Sequence, residues 1–63
     1  MCDINAYILK NGQEEKVMEN VDRVEQVGDK MRLANIFGEI KSLKASITYY
    51  DNSEKKMVFE PSI

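Results

Sequence analysis

Short runs of alternating apolar and polar residues, separated by turn-forming residues, dominate the pattern of this chain. The first run, over residues 3–9, carries apolar side chains on both faces, as a strand inside a small barrel would. Asn11-Gly12 follows, a dipeptide that readily adopts the two positive φ angles of a type I′ hairpin turn. We therefore predict a second strand over residues 13–18, which lies at an edge because its early positions are polar.

The segment from residue 17 to residue 27 is compatible with two structures. Its valines recur at the spacing of a helical stripe, at Val17, Val21, Val24 and Val27. Three features favour a strand instead: the stripe is entirely β-branched, Asn20 offers a turn, and Gly28-Asp29 closes the segment early for a helix. We predict a strand over residues 21–27.

The second half of the chain continues in the same manner. Further strands are predicted over residues 30–36, 44–50 and 57–59, with Pro61 ending the last one. Gly12, Gly28 and Gly38 are each assigned to a turn, and the predicted core comprises Ile4, Ile8, Leu33, Ile47 and Phe59. Five to six short antiparallel strands with regular turns predict an all-β fold, a small SH3-like barrel that forms one domain over residues 1–63.

The length of the chain limits the size of the core and therefore the stability of a single copy. The chain has 63 residues, of which 43% are hydrophobic and 32% charged, the composition of a soluble globular domain. Below about 70 to 80 residues a core commonly needs a disulfide, a metal or a partner chain. Because one cysteine cannot form an intramolecular disulfide, we expect a homodimer, a metal site, or both.

Charge and hydropathy exclude several environments and partners. Eleven acidic against nine basic residues give a net charge of −2, which disfavours nucleic acid as a partner. The acidic start Met1-Cys2-Asp3 is unlike a secretory signal, and no run approaches the roughly 18 apolar residues of a membrane span. We therefore expect a cytoplasmic protein with no membrane partner.

The residues present do not suggest an enzyme. The chain has no histidine, which excludes the Ser-His-Asp and Cys-His arrangements. Its three glycines are isolated and form no phosphate-binding loop. Glu14 and Glu15 are neighbours on a predicted strand, so their side chains point to opposite faces and are interpreted as solvated edge charges.

Cys2 is the residue with distinctive chemistry. Removal of Met1 by an aminopeptidase would leave Cys2 as the first residue, whose amine nitrogen and thiolate sulfur close a five-membered chelate ring on one metal ion. The backbone amide of Asp3 can add a further nitrogen, and this donor set suits square-planar Ni(II) and also copper. The alternative is that Cys2 is an inert small hydrophobe at the chain terminus. A two-fold dimer would double the ligand set.

Several segments along the chain resemble one known family. They are Met1-Cys2, Ala6-Tyr7, Glu19-Asn20-Val21, Val24-Glu25, Gly28-Asp29, Arg32-Leu33 and the run from Asn35 to Glu39. The combination resembles the CooT family of small nickel-binding proteins over nearly the whole length. The resemblance implies a homodimer that binds one Ni(II) ion through Cys2. It also implies a carrier or metallochaperone role toward a nickel enzyme, since the founding member is associated with maturation of a nickel-containing carbon monoxide dehydrogenase. Asp3 is a second candidate ligand because of its position next to Cys2 and is not implied by the resemblance.

The same family has carried a general label of predicted RNA-binding protein, which supplies the alternative function. Exposed aromatic side chains beside cations could stack bases and contact phosphates, the candidates being Tyr7, Phe37, Tyr50, Arg32, Lys41 and Lys44. The opposing interpretation places Tyr7 and Phe37 in the core or at the dimer interface and the two lysines on an ordinary solvated face.

Overall fold

A computed structural model of the chain describes residues 3–61. This part of the chain forms six strands: β1 (Ile4–Lys10), β2 (Gln13–Val27), β3 (Lys30–Asn35), β4 (Ile40–Leu43), β5 (Ala45–Asp51) and β6 (Lys56–Pro61). The predicted all-β architecture of a small barrel is confirmed. Within these residues there is no helix long and apolar enough to cross a membrane.

The six strands form a single sheet in the order β4-β3-β2-β1-β6-β5. Four of the five neighbouring pairs are antiparallel, as expected. The prediction of a purely antiparallel sheet is wrong for β1 and β6, which pair in parallel from Asn5 opposite Lys56 to Ile8 opposite Phe59. A parallel pair requires a long crossover connection, and here strands β2 to β5 provide it.

The connection between β4 and β5 forces this sheet to curl. Only Lys44 separates Leu43 at the end of β4 from Ala45 at the start of β5, so their Cα atoms lie at most about 7 Å apart. In a flat sheet, five spacings of about 4.8 Å would place these two edge strands about 24 Å apart. The sheet therefore bends into a half-barrel, in which β3 also contacts β5.

Strand β2 is shared between the two sides of the half-barrel. Its first half pairs with β1 and its second half, from Val21 onward, pairs with β3. Asn20 lies between the halves with a φ of 54°, a left-handed conformation that asparagine tolerates better than most residues. The prediction of two strands separated by a turn is therefore corrected to one strand of 15 residues with a bend at Asn20. The preference for strand over helix is confirmed.

The core lies inside the curl and is small. Its buried apolar residues are Ala6, Met18, Val21, Leu33, Ala45, Val58 and Phe59. The predicted core positions Leu33 and Phe59 are confirmed as fully buried, while Ile4 and Ile8 are half-buried. Met18, Met31 and Met57 contribute to this packing, in agreement with methionine filling gaps in a thin core.

The prediction that Ile47 belongs to the core is wrong. Ile47 pairs with buried Phe59 and so shares its face, yet 47% of its surface is exposed. Strand β5 lies at the edge of the sheet, and its pairing with β6 is irregular between Ile47 and Tyr49. An inward-facing residue at such an edge keeps one side uncovered.

The turns follow their local chemistry. Asn11 and Gly12 have φ angles of 51° and 78°, the two positive values predicted for the first hairpin. Gly28 and Gly38 also lie in turns with positive φ. Strand β4 was not predicted as a strand separate from its neighbours, because its four residues carry no clear alternation.

Truncation of a core residue and of an edge residue should separate their roles. Leu33→Ala is expected to lower the free energy of unfolding by about 2–5 kcal/mol, because it leaves a cavity in a fully buried position. Ile47→Ala is expected to cost about 1 kcal/mol or less, since the side chain is half in water already. Urea denaturation of both variants measures the difference, and equal losses would contradict the assigned positions.

Candidate functional site

The start of β1 is held on two sides. On one side, Ile4 pairs with Val21, and the Asn5 side-chain oxygen accepts a hydrogen bond from the Asn20 backbone nitrogen at 3.3 Å. On the other side, the Asn5 backbone nitrogen donates to the carbonyl oxygen of Lys55 at 2.9 Å. The chain therefore enters the sheet at a fixed point, next to the bend of β2.

Of the two predicted metal ligands, Asp3 falls within the described residues. Asp3 is exposed and immediately precedes β1. Cys2 lies outside the described residues, so its predicted role as a ligand stays a prediction. Among residues 3–61 there is no group of three or more cysteine, aspartate and glutamate side chains that could hold a metal ion.

Asn35 organises the turn between β3 and β4, beside the bend of β2. Its side chain is buried, with 6% exposure, and its Oδ1 accepts hydrogen bonds from the backbone nitrogens of Phe37 at 3.1 Å and Glu39 at 2.9 Å. Its Nδ2 donates to Glu39 Oε1 at 2.7 Å. The Ile36 backbone nitrogen donates to the Asn20 carbonyl oxygen at 3.2 Å, which ties the turn to the bend of β2.

The sequence predicted this turn from Gly38, but not the part that Asn35 plays in it. An asparagine three residues before glycine is a signal for a side-chain-stabilised turn, because its oxygen can accept from the backbone two residues on. The sequence does not show that the Asn35 side chain is buried, because the surrounding strands bury it. The consequence is a fixed turn that leaves Phe37 66% exposed.

A second polar cluster joins four strands and includes Lys56, which is opposite Asn5 near the start of β1. Lys56 Nζ lies 2.6 Å from Glu14 Oε1, and the Tyr49 hydroxyl donates to Glu14 Oε2 at 2.8 Å. Lys56 also lies over the Tyr7 ring, with Nζ 5.5 Å from the centroid, and 6.0 Å from the Tyr49 centroid. Glu14 is exposed, in agreement with its interpretation as a solvated charge, but that interpretation missed its two partners, which lie 35 and 42 positions along the chain.

The pKa directions in this cluster favour a structural role over an acid-base role. The hydrogen bond from Lys56, helped by that from Tyr49, lowers the pKa of Glu14 below its ordinary value of 4.5. The bond to Glu14 raises the pKa of Lys56, and it also raises the pKa of Tyr49. Each shift moves the pKa of its group further from neutral pH. A general acid or base, in contrast, works best with a pKa near the operating pH.

The residues proposed for RNA contact are divided among different parts of the sheet. Tyr7 lies under Lys56, and the Tyr50 hydroxyl bonds to Asn52 Oδ1 at 3.0 Å on the edge strand β5. On the other side of the sheet, Arg32 is opposite Glu25 on the neighbouring strand.

The lysines proposed for the same surface already have partners. Lys41 donates to the Val17 carbonyl oxygen at 2.8 Å, and Lys44 lies 3.7 Å from Asp29. RNA binding stays a prediction that no specific contact among residues 3–61 favours.

Comparison with known proteins places the chain in a family. Residues 1–60 match the family model of the CO dehydrogenase accessory protein CooT. The chain belongs to the CooT family. CooT proteins are thus described as accessory proteins of an enzyme rather than as enzymes, and the matched range includes Cys2, Asp3 and the Asn35 turn.

Relatives cover the whole fold. An uncharacterized protein of Methanocaldococcus jannaschii is 40% identical over 60 residues, which span 95% of this chain and 98% of the relative. The crystal structure of a candidate CooT protein from Carboxydothermus hydrogenoformans superposes with a TM-score of 0.89 at 29% identity, covering 98% of this chain and 100% of the other. The resemblance to CooT proteins inferred from the sequence is confirmed.

Neutralising Glu14 should destabilise the protein in a pH-dependent way. Because folding lowers the Glu14 pKa, the stability it provides is present above the ordinary value of 4.5 and is lost as the pH falls through the folded pKa. We expect Glu14→Gln to lower the thermal unfolding midpoint at pH 7, and the difference from the unmodified protein to shrink below pH 4.5.

The adjacent residue is a matched control for this measurement. Within residues 3–61 Glu15 forms an ion pair only with Lys10, at 3.8 Å, and both side chains are 63% exposed, so Glu15→Gln should change the midpoint little. Equal effects of the two variants, or a Glu14→Gln difference that does not vary with pH, would contradict the structural role of the cluster.

Proposed function

We propose that this protein is a nickel-binding accessory protein that acts in the cytoplasm as a carrier for a nickel enzyme of the CO dehydrogenase type. The observation that supports it is the CooT family match from residue 1 to residue 60, which includes a cysteine directly after Met1. Nickel is the cargo in this proposal. The protein itself performs no catalytic step.

The chemistry of the first residues supplies a suitable ligand set. After loss of Met1, the Cys2 amine and thiolate bind one ion in a five-membered ring, and the deprotonated amide of Asp3 adds a nitrogen. Nitrogen and thiolate donors in a plane suit Ni(II). The same donors bind copper more tightly, so selectivity would depend on geometry and on metal supply. The Asp3 carboxylate is the weaker candidate ligand.

The proposed site benefits from the way the chain begins. The hydrogen bonds of Asn5 to β2 and to Lys55 fix the point at which the chain enters the sheet. Asp3, directly before the strand, is exposed to solvent. A site on this segment would be anchored at one end and accessible to an ion and to a client protein, as a carrier requires.

A homodimer completes both the ligand set and the core. Only seven apolar residues are buried among those the structure describes, and two of them are alanines. A core of this size commonly needs support from another chain. Two copies related by a two-fold axis would bring two Cys2 donor sets to one Ni(II) ion.

Nickel titration tests the ligand assignment. Adding Ni(II) to the protein lacking Met1 should produce sulfur-to-nickel charge-transfer absorption that saturates at one ion per dimer. Cys2→Ala should abolish this absorption, because it removes the thiolate. Asp3→Asn is the matched control, since it keeps the backbone amide and should retain the absorption.

Intact-mass measurement of the same sample establishes whether Met1 is absent, which the amine ligand requires. Equal absorption from Cys2→Ala and the unmodified protein would overturn the nickel site.

Sedimentation tests the assembly separately. We expect the protein at high micromolar concentration to sediment as a dimer of about twice its 7.3 kDa chain mass. Analytical ultracentrifugation in the presence of a chelator makes the result independent of metal. A monomer under these conditions would contradict both the shared site and the argument from core size.

A further inference from the structure

We propose that the two copies meet at the turn between β3 and β4, where Phe37 of each copy inserts into a depression beside Phe37 on the other. This inference rests on the homodimer proposed above and identifies its interface. We call the protruding Phe37 side chain the knob. The depression has a volume of about 380 Å³ and is lined by Lys16, Val17, Met18, Glu19, Asn35 and Glu39 next to Phe37 itself.

Phe37 is the most exposed large apolar side chain in residues 3–61, at 66%. The exposed aromatic residues on β5 differ from it, because the hydroxyls of Tyr49 and Tyr50 bond to Glu14 and Asn52. Phenylalanine has no polar group that benefits from water. An aromatic side chain held outward in this way is the type of residue that anchors protein interfaces.

The turn is arranged before any partner binds. The buried Asn35 side chain holds the backbone nitrogens of Phe37 and Glu39 through its oxygen, and the Gly38 backbone nitrogen donates to the Asn35 carbonyl oxygen at 3.2 Å. Ordering of loops is one of the costs of association. A turn already fixed by these bonds avoids most of that cost.

The knob and the depression lie side by side on one surface, which favours a second copy as the occupant. A two-fold axis between them carries each Phe37 onto the depression of the other chain, so a single geometry makes both contacts. Val17 and Met18 provide the apolar part of the lining. A different partner could fill the depression or cover the Phe37 side chain. To do both, it would need its own protruding side chain and its own depression, whereas a second copy already has the two.

The charges around this surface are balanced. Lys16 and Glu19 form an ion pair at 2.9 Å, Glu39 accepts from Asn35, and Lys41 binds the Val17 carbonyl oxygen. Two cations and two anions give no net attraction for a strongly acidic or basic partner. A rim of both signs can instead be complementary to itself across a two-fold axis.

The position of the turn agrees with a shared metal site. Ile36 is bonded to Asn20, which is bonded to Asn5 near the start of β1. Two steps between neighbouring strands correspond to about 10 Å. An interface at this turn therefore leaves Asn5, near the start of β1, about 10 Å away in each copy.

Sedimentation equilibrium of Phe37→Asp with a chelator present tests the interface. The new carboxylate would have to enter a depression that is bordered by the carboxylates of Glu19 and Glu39, so we expect the dimer dissociation constant to rise about 100-fold or more, the size of effect of an interface hot spot. Val27→Asp is the matched control: it places the same charge on an apolar side chain that is 55% exposed at the end of β2, away from this turn, and should dimerise as the unmodified protein does.

The outcomes separate this inference from the proposed function. A dimer that persists in Phe37→Asp overturns the interface while leaving the homodimer in place. A monomeric unmodified protein overturns the homodimer itself. Loss of the dimer in both variants also overturns the interface, because the effect is then not specific to the turn.

A measurement on the unmodified protein avoids any question of variant folding. In a dimer mixed from isotope-labelled and unlabelled chains, filtered NMR spectra report only contacts between copies. We expect cross-peaks from the Phe37 ring to the methyl groups of Val17 and Met18. Their absence in a sample that sediments as a dimer would overturn the proposal.

Discussion

The single-residue connection between the two edge strands determines the shape of this protein. Lys44 alone joins β4 to β5, although four other strands lie between them in the sheet. A flat sheet cannot satisfy that connection, so the sheet curls and encloses a core. The bend of β2 at Asn20 follows from the same requirement, because one long strand must serve both sides of the half-barrel.

Two polar systems stabilise the curled sheet from different sides. Asn35 ties the β3–β4 turn together and is linked through Ile36 to the bend of β2. Glu14, Lys56 and Tyr49 connect β2 to β6 and β5 across the intervening strand β1. The first system holds Phe37 outward. In the second system the pKa shifts favour the charged forms of Glu14 and Lys56. Its role is to stabilise the sheet and not to transfer protons.

The fold acts in this view as a platform for a short functional segment. Barrels of this type host many functions, so the chemistry must be argued from particular residues. Family membership identifies an accessory role toward CO dehydrogenase, and the proposed metal chemistry belongs to the residues before β1. The barrel contributes a fixed point of departure for that segment and, in the proposed dimer, an adjacent surface that pairs two copies.

Features set by neighbouring residues were determined by the sequence alone. The Asn11-Gly12 hairpin, the strands around it, the glycine turns, the single thin core and the resemblance to CooT could all be predicted, because each depends on residues close together or on matching segments. Only the tertiary structure decided the parallel pairing of β1 with β6, the exposure of Ile47 at an edge, and the binding of Glu14 by Lys56. Those features join residues far apart in the chain, and their contacts exist only once the short connection at Lys44 has closed the sheet.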